Sequence, residues 1–171
     1  MAGPQDKEYL EYVAAHRGRM LRTARLLTLG DTHWAEDLVQ VALTKLYVHW
    51  SKVRHEEGAA SYADRILVNA FIDERRRLWR HRETATAEML DAAPTPGPDQ
   101  ADRLTVLDAL AQLPKRQRVA VVLRYFRDLD TATVAELMGC SQGTVKSQTA
   151  RGLEKLRDLI DNPLETLERV P

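Results

Sequence analysis

A chain of 171 residues, 44% of them apolar, is long enough for one or two small domains with real cores. Its 25 basic and 25 acidic side chains cancel, so overall charge singles out no partner. No apolar run approaches the ~20 residues of a membrane span, the start MAGPQDKEYL lacks an apolar signal segment, and a single cysteine excludes an internal disulfide or a cysteine-cluster metal site. These features predict a cytoplasmic protein with no cofactor, no metal and no membrane insertion. Glycine is sparse and no period-two alternation of Val, Ile and Thr is sustained, which predicts an all-α fold.

The first predicted helix runs from about Asp6 to Thr28, with Tyr9, Leu10, Val13, Met20, Leu21, Ala24 and Leu27 as its apolar stripe. Gly30-Asp31 ends it and caps the next. The second, about Trp34 to Trp50, buries Leu38, Val39, Ala42, Leu43, Leu46 and Trp50 and leaves Glu36, Asp37, Gln40 and Thr44 as a narrow polar stripe. That stripe is either the wet side of a core helix or a contact face. Ser51 to Ser61 reads as a polar loop. The third helix is apolar nearly all round from Ile66 to Ile72, with Arg65, Asn69, Asp73, Arg76 and Arg80 in line. After Ile72 it carries Arg75, Arg76, Arg77, Arg80 and Arg82 with Trp79 among them. Cations interleaved with an aromatic suit a nucleic-acid groove, and equally a solvated helix end facing its own dipole.

The pattern stops between about Glu83 and Gln100, where DAAPTPGPDQ marks a flexible linker. Charge alternates across this boundary. Residues 61–82 hold six basic against three acidic groups, 83–112 one against six, and 113–157 nine against four. The predicted organisation is therefore two small helical domains, 1–82 and 101–158, joined by the acidic linker 83–100 and followed by a tail, 159–171.

The second domain opens with Leu104, Leu107, Leu110 and Leu113, stopped by Pro114. In KRQRVAVVLRYFRDL the spacing puts Val119, Val122, Leu123 and Phe126 inward and Lys115, Arg116, Arg118 and Arg127 outward. A short helix over Thr131 to Met138 follows, then Gly139-Cys140-Ser141, where Gly139 takes the positive φ that ends a helix, Cys140 is a small apolar turn residue and Ser141 is an N-cap. The last helix places Val145, Thr149, Leu153 and Leu156 on one face and Thr144, Lys146, Ser147, Gln148 and Arg151 on the other. Hydroxyl, amide and cationic groups contact phosphates and base edges, so the pair reads as a DNA-binding helix-turn-helix. The alternative is an ordinary helical hairpin with a polar face.

Four segments in order, AEDLVQ, NAFIDERRR, ALAQLPKRQRVAVVLRYF and GCSQGTVKSQTARGLEKLR, with a Pro-rich linker between the second and third, resemble the bacterial extracytoplasmic-function (ECF) sigma factors over about residues 5–157. The resemblance implies a non-catalytic subunit that directs RNA polymerase core to −35/−10 promoters and helps melt them. It implies that Asp37, Gln40 and Thr44, with Leu43 beside them, grip a coiled coil of the largest polymerase subunit. It places the loop Val53–Ala60 and the face Arg65, Asn69 and Asp73 at the −10 element, with Arg75, Arg76, Arg77 and Arg80 on its phosphates. Gln142, Thr144, Lys146, Ser147, Gln148 and Arg151 fall at the −35 duplex, the flap of the second subunit is a further partner, and an anti-sigma factor is a possible one. Ser61-Tyr62 stands where many relatives have Trp, and Gln142 where Pro or Val is common, so no promoter consensus carries over.

Two other function classes differ in what they require. A stand-alone helix-turn-helix regulator, with an N-terminal dimerisation or effector domain, would bind duplex operators tightly by itself. An enzyme would need a catalytic constellation, and the five histidines form no H-x-x-x-H while Asp73 and Glu74 are adjacent and point apart on a helix. The chain is not expected to be an enzyme.

Overall fold

The computed structural model describes residues 3–54, 58–73 and 106–161, and every regular element among them is helical. In chain order these are α1 (Pro4–Leu27), α2 (Thr32–Val48), the single turn α3 (Trp50–Val53), α4 (Gly58–Ile72), a helical stretch α5 over residues 106–111, α6 (Lys115–Val121) running into a π-helical turn (Val122–Phe126), α7 (Thr131–Met138) and α8 (Gln142–Asp161). Arg75, Arg76, Arg77, Arg80, the linker 83–100 and the tail beyond Asp161 lie outside the described residues.

The boundaries follow local chemistry. Pro4 opens α1, where its missing N–H is no loss, and the Asp6 carboxylate accepts from the Gly3 N–H at 2.7 Å. Leu29 and Gly30 take positive φ, turning the chain back so that the Gly30 N–H reaches the Arg25 carbonyl at 2.8 Å. Asp31 then caps α2 by accepting from the Trp34 N–H at 2.9 Å. The expected loop Ser51–Ser61 is shorter than the sequence suggests. Its first residues form α3, and α4 begins at Gly58 because Ala59 finds a buried seat, 4% exposed.

The core of the N-terminal group is the stripe expected from spacing, with Met20, Leu27, Leu38, Val39, Leu46, Leu67, Val68 and Phe71 all buried. Tyr9 and Tyr12 each set a ring 5.4 Å from the Trp50 ring, closing the end near α3. In the C-terminal group Leu110, Leu113, Val119, Val122, Leu123, Val134, Leu137 and Val145 form the corresponding core.

α8 crosses α6 closely at Gly152, where an added Cβ would lie 2.7 Å from Val121 Cγ2. Val121 is buried and β-branched, with one strongly preferred rotamer in a helix, so it cannot swing aside. Gly152→Ala is expected to destabilise by about 1–2 kcal/mol, overpacking outweighing the ~1 kcal/mol propensity gain. Gly143→Ala on the same helix meets nothing nearer than Ser141 Oγ at 3.8 Å and should be neutral or mildly stabilising. Urea unfolding midpoints of the two variants check the contrast.

Two expectations for the segment 115–129 are overturned. Phe126, expected inward, is 51% exposed beside an equally exposed Tyr125. The π turn is the reason: the Arg127 N–H bonds the Val122 carbonyl five residues back, and the extra residue per turn rotates Phe126 off the inner face. Arg118 and Arg127, expected outward, both turn inward: Arg118 is buried, and Arg127 is half-buried with its side chain 9% exposed. The Arg118 guanidinium donates to the carbonyls of Leu27 at 2.9 Å, Leu110 at 3.1 Å and Leu113 at 3.2 Å. Arg127 donates to both carboxylate oxygens of Asp64, at 2.8 and 3.2 Å, and to Thr23 Oγ1 at 3.1 Å.

These arginines sit in a seam between the two helical groups. α4 packs on α6 and α7, and α1 on the π turn. Lys115 Nζ lies 5.4 Å from the Phe71 ring and 5.9 Å from the Trp34 ring. Arg65 donates across the seam to the Glu136 carbonyl at 3.2 Å, in the last turn of α7. Tyr12 sits near the Asp64–Arg127 pair, and burial first, then the Asp64 carboxylate, pushes its phenol up to about 12. It is therefore neutral at neutral pH.

Candidate nucleic-acid and polymerase interfaces

The helix-turn-helix is built from three local devices. Asp130 caps α7, accepting from the Thr133 N–H at 2.7 Å, and that bond holds its carboxyl below the usual carboxylate range. Gly139 ends α7 at φ 62°, allowing the Cys140 N–H to reach the Ala135 carbonyl at 3.0 Å. Ser141 Oγ accepts from the Thr144 N–H at 3.1 Å and starts α8. The turn between the helices is therefore fixed at both ends by the residues expected to do so.

α8 is anchored from inside by Val145 and Thr149, both buried, with Leu153 and Leu156 half-buried further along. Its outer face presents Gln142, Lys146, Ser147 and Arg151 as exposed side chains, while Thr144 and Gln148 are half-buried at the edge. Within that set, Thr144 Oγ1 bonds Ser141 Oγ at 2.9 Å and Ser147 Oγ donates to the Thr144 carbonyl at 3.0 Å. The hydroxyls thus serve the first turn, and the long side chains of Gln142, Lys146 and Arg151 are the ones that extend outward. The first residues, Ser141 to Gly143, are exposed, so the positive end of the helix dipole faces outward as well.

On α4, Arg65, Asn69 and Asp73 form one exposed row, with Ala63, Asp64, Leu67, Val68 and Phe71 buried behind it. The row is where spacing places it, but Arg65 is engaged with α7. Arg75, Arg76, Arg77 and Arg80 lie outside the described residues.

On α2, Gln40 and Thr44 are exposed and Asp37 is half-buried. Leu43 departs from this face. It is 5% exposed and packed in the core, and only its carbonyl is engaged outward, accepting from the Tyr9 hydroxyl at 2.8 Å. The sequence reading missed what continues the stripe: Tyr47 and Val48, one turn beyond Thr44, are 51% and 70% exposed. They border a shallow cavity of about 270 Å³ with Gln5, Asp6, Trp50 and Ser51. Tyr47 donates to Asp6 at 2.9 Å, and that bond raises its phenol above the usual range. Two apolar residues off the buried arc of α2 were the available signal.

Among the described residues no group of His, Cys, Asp and Glu is arranged to hold a metal, and no helix is long and apolar enough to cross a membrane.

Known families and relatives match both helical groups. The sigma-70 region 2 family profile matches residues 12–81 and the sigma-70 region 4 profile residues 103–156. The RNA polymerase sigma-E factor of Streptomyces avermitilis is 35% identical over 166 residues, covering 95% of this chain and 90% of that protein. The ECF RNA polymerase sigma factor SigM of Mycobacterium tuberculosis is 33% identical over 152 residues, covering 85% and 73%. Among solved structures, the sigma factor RpoE of Bartonella quintana, crystallised with the anti-sigma factor NepR, shares the fold with a TM-score of 0.71 at 24% identity, over 91% of this chain and 98% of that one. With region 2 on the α1–α4 group, region 4 on the α5–α8 group and relatives of this identity along nearly its whole length, the chain belongs to the ECF sigma factors of the sigma-70 family, non-catalytic subunits for transcription initiation by RNA polymerase.

Proposed function

We propose that the two exposed faces divide promoter recognition, α8 reading the −35 element as duplex and α4, with the arginines after it, acting at the −10 element. The observation that carries this reading is the outer face of α8. Gln142, Lys146 and Arg151 project from a helix whose first turn is capped and whose inner side is buried. A helix so mounted can enter a major groove without reorganising. Gln142 and Arg151 are nine steps apart along α8, about 13.5 Å of helix rise, so the two ends of the face reach different parts of the duplex.

The row Arg65, Asn69 and Asp73 offers polar contacts to a strand whose bases have left the stack, and Arg75, Arg76, Arg77 and Arg80 supply cations for its phosphates. Gln40, Thr44 and Asp37 form the face for the coiled coil of the largest polymerase subunit, extended by Tyr47 and Val48. The exposed Tyr125 and Phe126 give the flap of the second subunit an aromatic surface on the α5–α8 group. The same faces suit an anti-sigma factor, the kind of partner with which the Bartonella relative was crystallised.

Reconstitution with core polymerase and run-off transcription tests the reading. Transcripts that depend on both promoter elements are expected. Specific initiation indifferent to the −35 sequence would remove α8 from the role.

Asn69→Ala should slow open-complex formation roughly tenfold, about 1.4 kcal/mol on the melting barrier, with core binding unchanged. Permanganate reactivity of −10 thymines is the readout, and reactivity appearing at the unaltered rate would take Asn69 out of the site.

A further inference from the structure

One residue joins α2, α3 and the front of α4. His49 is at once the C-cap of α2 and the N-cap of α3. Its N–H reaches the carbonyls of Leu46 at 3.1 Å and Lys45 at 3.3 Å, and its own carbonyl accepts from the Lys52 N–H at 2.9 Å and the Val53 N–H at 3.3 Å. The backbone of His49 therefore closes one helix and opens the next, and its side chain reaches a third. Nδ1 lies 3.0 Å from the Lys45 carbonyl oxygen and 3.1 Å from the Tyr62 hydroxyl, with the two rings 5.6 Å apart. A carbonyl can only accept, so Nδ1 carries the hydrogen and shares it between these two oxygens.

The place where that bond lands gives it a consequence. Tyr62 precedes Arg65 by three residues and Asn69 by seven, so it stands at the head of the same row on α4. The two halves of α4 are seated differently. Leu67, Val68 and Phe71 anchor the second half, whereas the buried apolar residues of the first are Ala59 and Ala63. An alanine methyl makes few of the dispersion contacts that hold a longer side chain in place. The front of α4 therefore depends more than its rear on a polar tether. We propose that His49 is a positioning residue for the −10 face, holding the front of α4 through Tyr62 while touching no DNA itself. The inference rests on placing α4 at the −10 element. Bases leaving the stack are compensated only by groups already in position to receive them. Loss of the tether should thus slow promoter opening and leave the steps made by α8 and by the polymerase-facing side of α2 unchanged.

The test compares His49→Ala, His49→Asn, Tyr62→Phe and the double variant His49→Ala/Tyr62→Phe, each as the full chain joined to core polymerase. Permanganate reactivity of −10 thymines follows opening, beside core binding and holoenzyme binding to −35 duplex. His49→Ala and Tyr62→Phe should each slow opening by about fivefold, the worth of one side-chain hydrogen bond. The double variant should be no slower than either alone, because both remove the same bond. His49→Asn should come within about twofold of the unaltered protein, since its amide stands near the position of Nδ1 and has a hydrogen for each oxygen. In the free chain, hydrogen exchange at the amides of residues 62–64 should quicken in the Ala and Phe variants and not in the Asn variant. Additive losses in the double variant, an Asn variant as slow as the Ala variant, or exchange that does not quicken would each overturn the proposal. Tyr62→Phe keeps the ring, so it decides alone if His49→Ala does not fold. Asn69→Ala on the same promoter separates this inference from the reading beneath it. If Asn69→Ala slows opening and the His49 and Tyr62 variants do not, the positioning role fails and the −10 assignment stands. If none of them slows opening while exchange still quickens, the −10 assignment fails and the tether stands.

Discussion

Arg118→Ala should lower the unfolding free energy by about 3–5 kcal/mol, the cost of removing one partner from a buried, charge-assisted network. The Arg118 side chain belongs to a residue only 8% exposed, and its three donated bonds end on carbonyls of Leu27, Leu110 and Leu113. Leu27 is the last residue of α1, Leu110 is in the last turn of α5 and Leu113 lies two residues past its end. Helix C-termini leave their last carbonyls without intrahelical donors and carry the negative end of the dipole. A single guanidinium therefore closes two helix ends, one from each helical group, and sits 6.0 Å from the Phe71 ring as it does so. Arg118→Met separates the contributions. It restores most of the lost volume but none of the donors, so it should recover only the packing part of the loss. Arg118→Lys keeps the charge but lacks the planar fork, so it cannot meet three carbonyls in that geometry and should fall between Arg and Met. Urea unfolding of the four proteins gives the order Arg, Lys, Met, Ala. A loss below about 1 kcal/mol for Ala, the range of a surface substitution, would mean that the carbonyls find water and that Arg118 caps nothing.

The same residue shows where sequence reading stops. Arg118 and Arg127 fall on the polar arc of α6 and the π turn, and an amphipathic pattern assigns such residues to solvent. Each has a partner across the seam, 91 and 63 residues away, a backbone carbonyl at Leu27 and the carboxylate of Asp64. Neither partner has a periodic signature, because carbonyls are the same in every residue and Asp64 falls outside the row Arg65, Asn69, Asp73. Phe126 failed for a different reason: spacing arguments assume 3.6 residues per turn, and one π turn changes the phase. Leu43 lies on the buried face where spacing puts it, and only the resemblance set it beside the contact stripe. What was legible was local. Asp31, Gly139 and Ser141 cap and break helices through atoms within three to five residues, and the row Arg65, Asn69, Asp73 follows from a four-residue repeat. The domain halves were legible as separate helical groups, but their packing depends on long-range pairs that no window reveals.

Replacing Lys146 and Arg151 together with alanine should reduce −35-dependent transcription by about 100-fold, near tenfold from each, or about 1.4 kcal/mol apiece. The two should nonetheless lose activity in different ways. Lys146 is one turn from Gln142, in the N-terminal half of α8, the part of a recognition helix that meets base edges. Arg151 is five residues further, about 7.5 Å along the axis, where a helix inserted by its N-terminus passes the sugar–phosphate wall. Thr144 and Ser147, on either side of Lys146 in sequence, have hydroxyls engaged near the start of the helix, which leaves the long side chains as the outermost contacts. Lys146→Ala should therefore cost activity unevenly across promoters that differ at −35, by about tenfold where the contacted base is present and little where it is not. Arg151→Ala should weaken all promoters alike and lower the slope of log K against log salt by about 1, one phosphate contact fewer. Holoenzyme binding to a set of −35 variants at several salt concentrations measures both quantities at once. Uniform loss for Lys146→Ala with a reduced salt slope would move it to the backbone, and base reading would then rest on Gln142 at the very start of the helix.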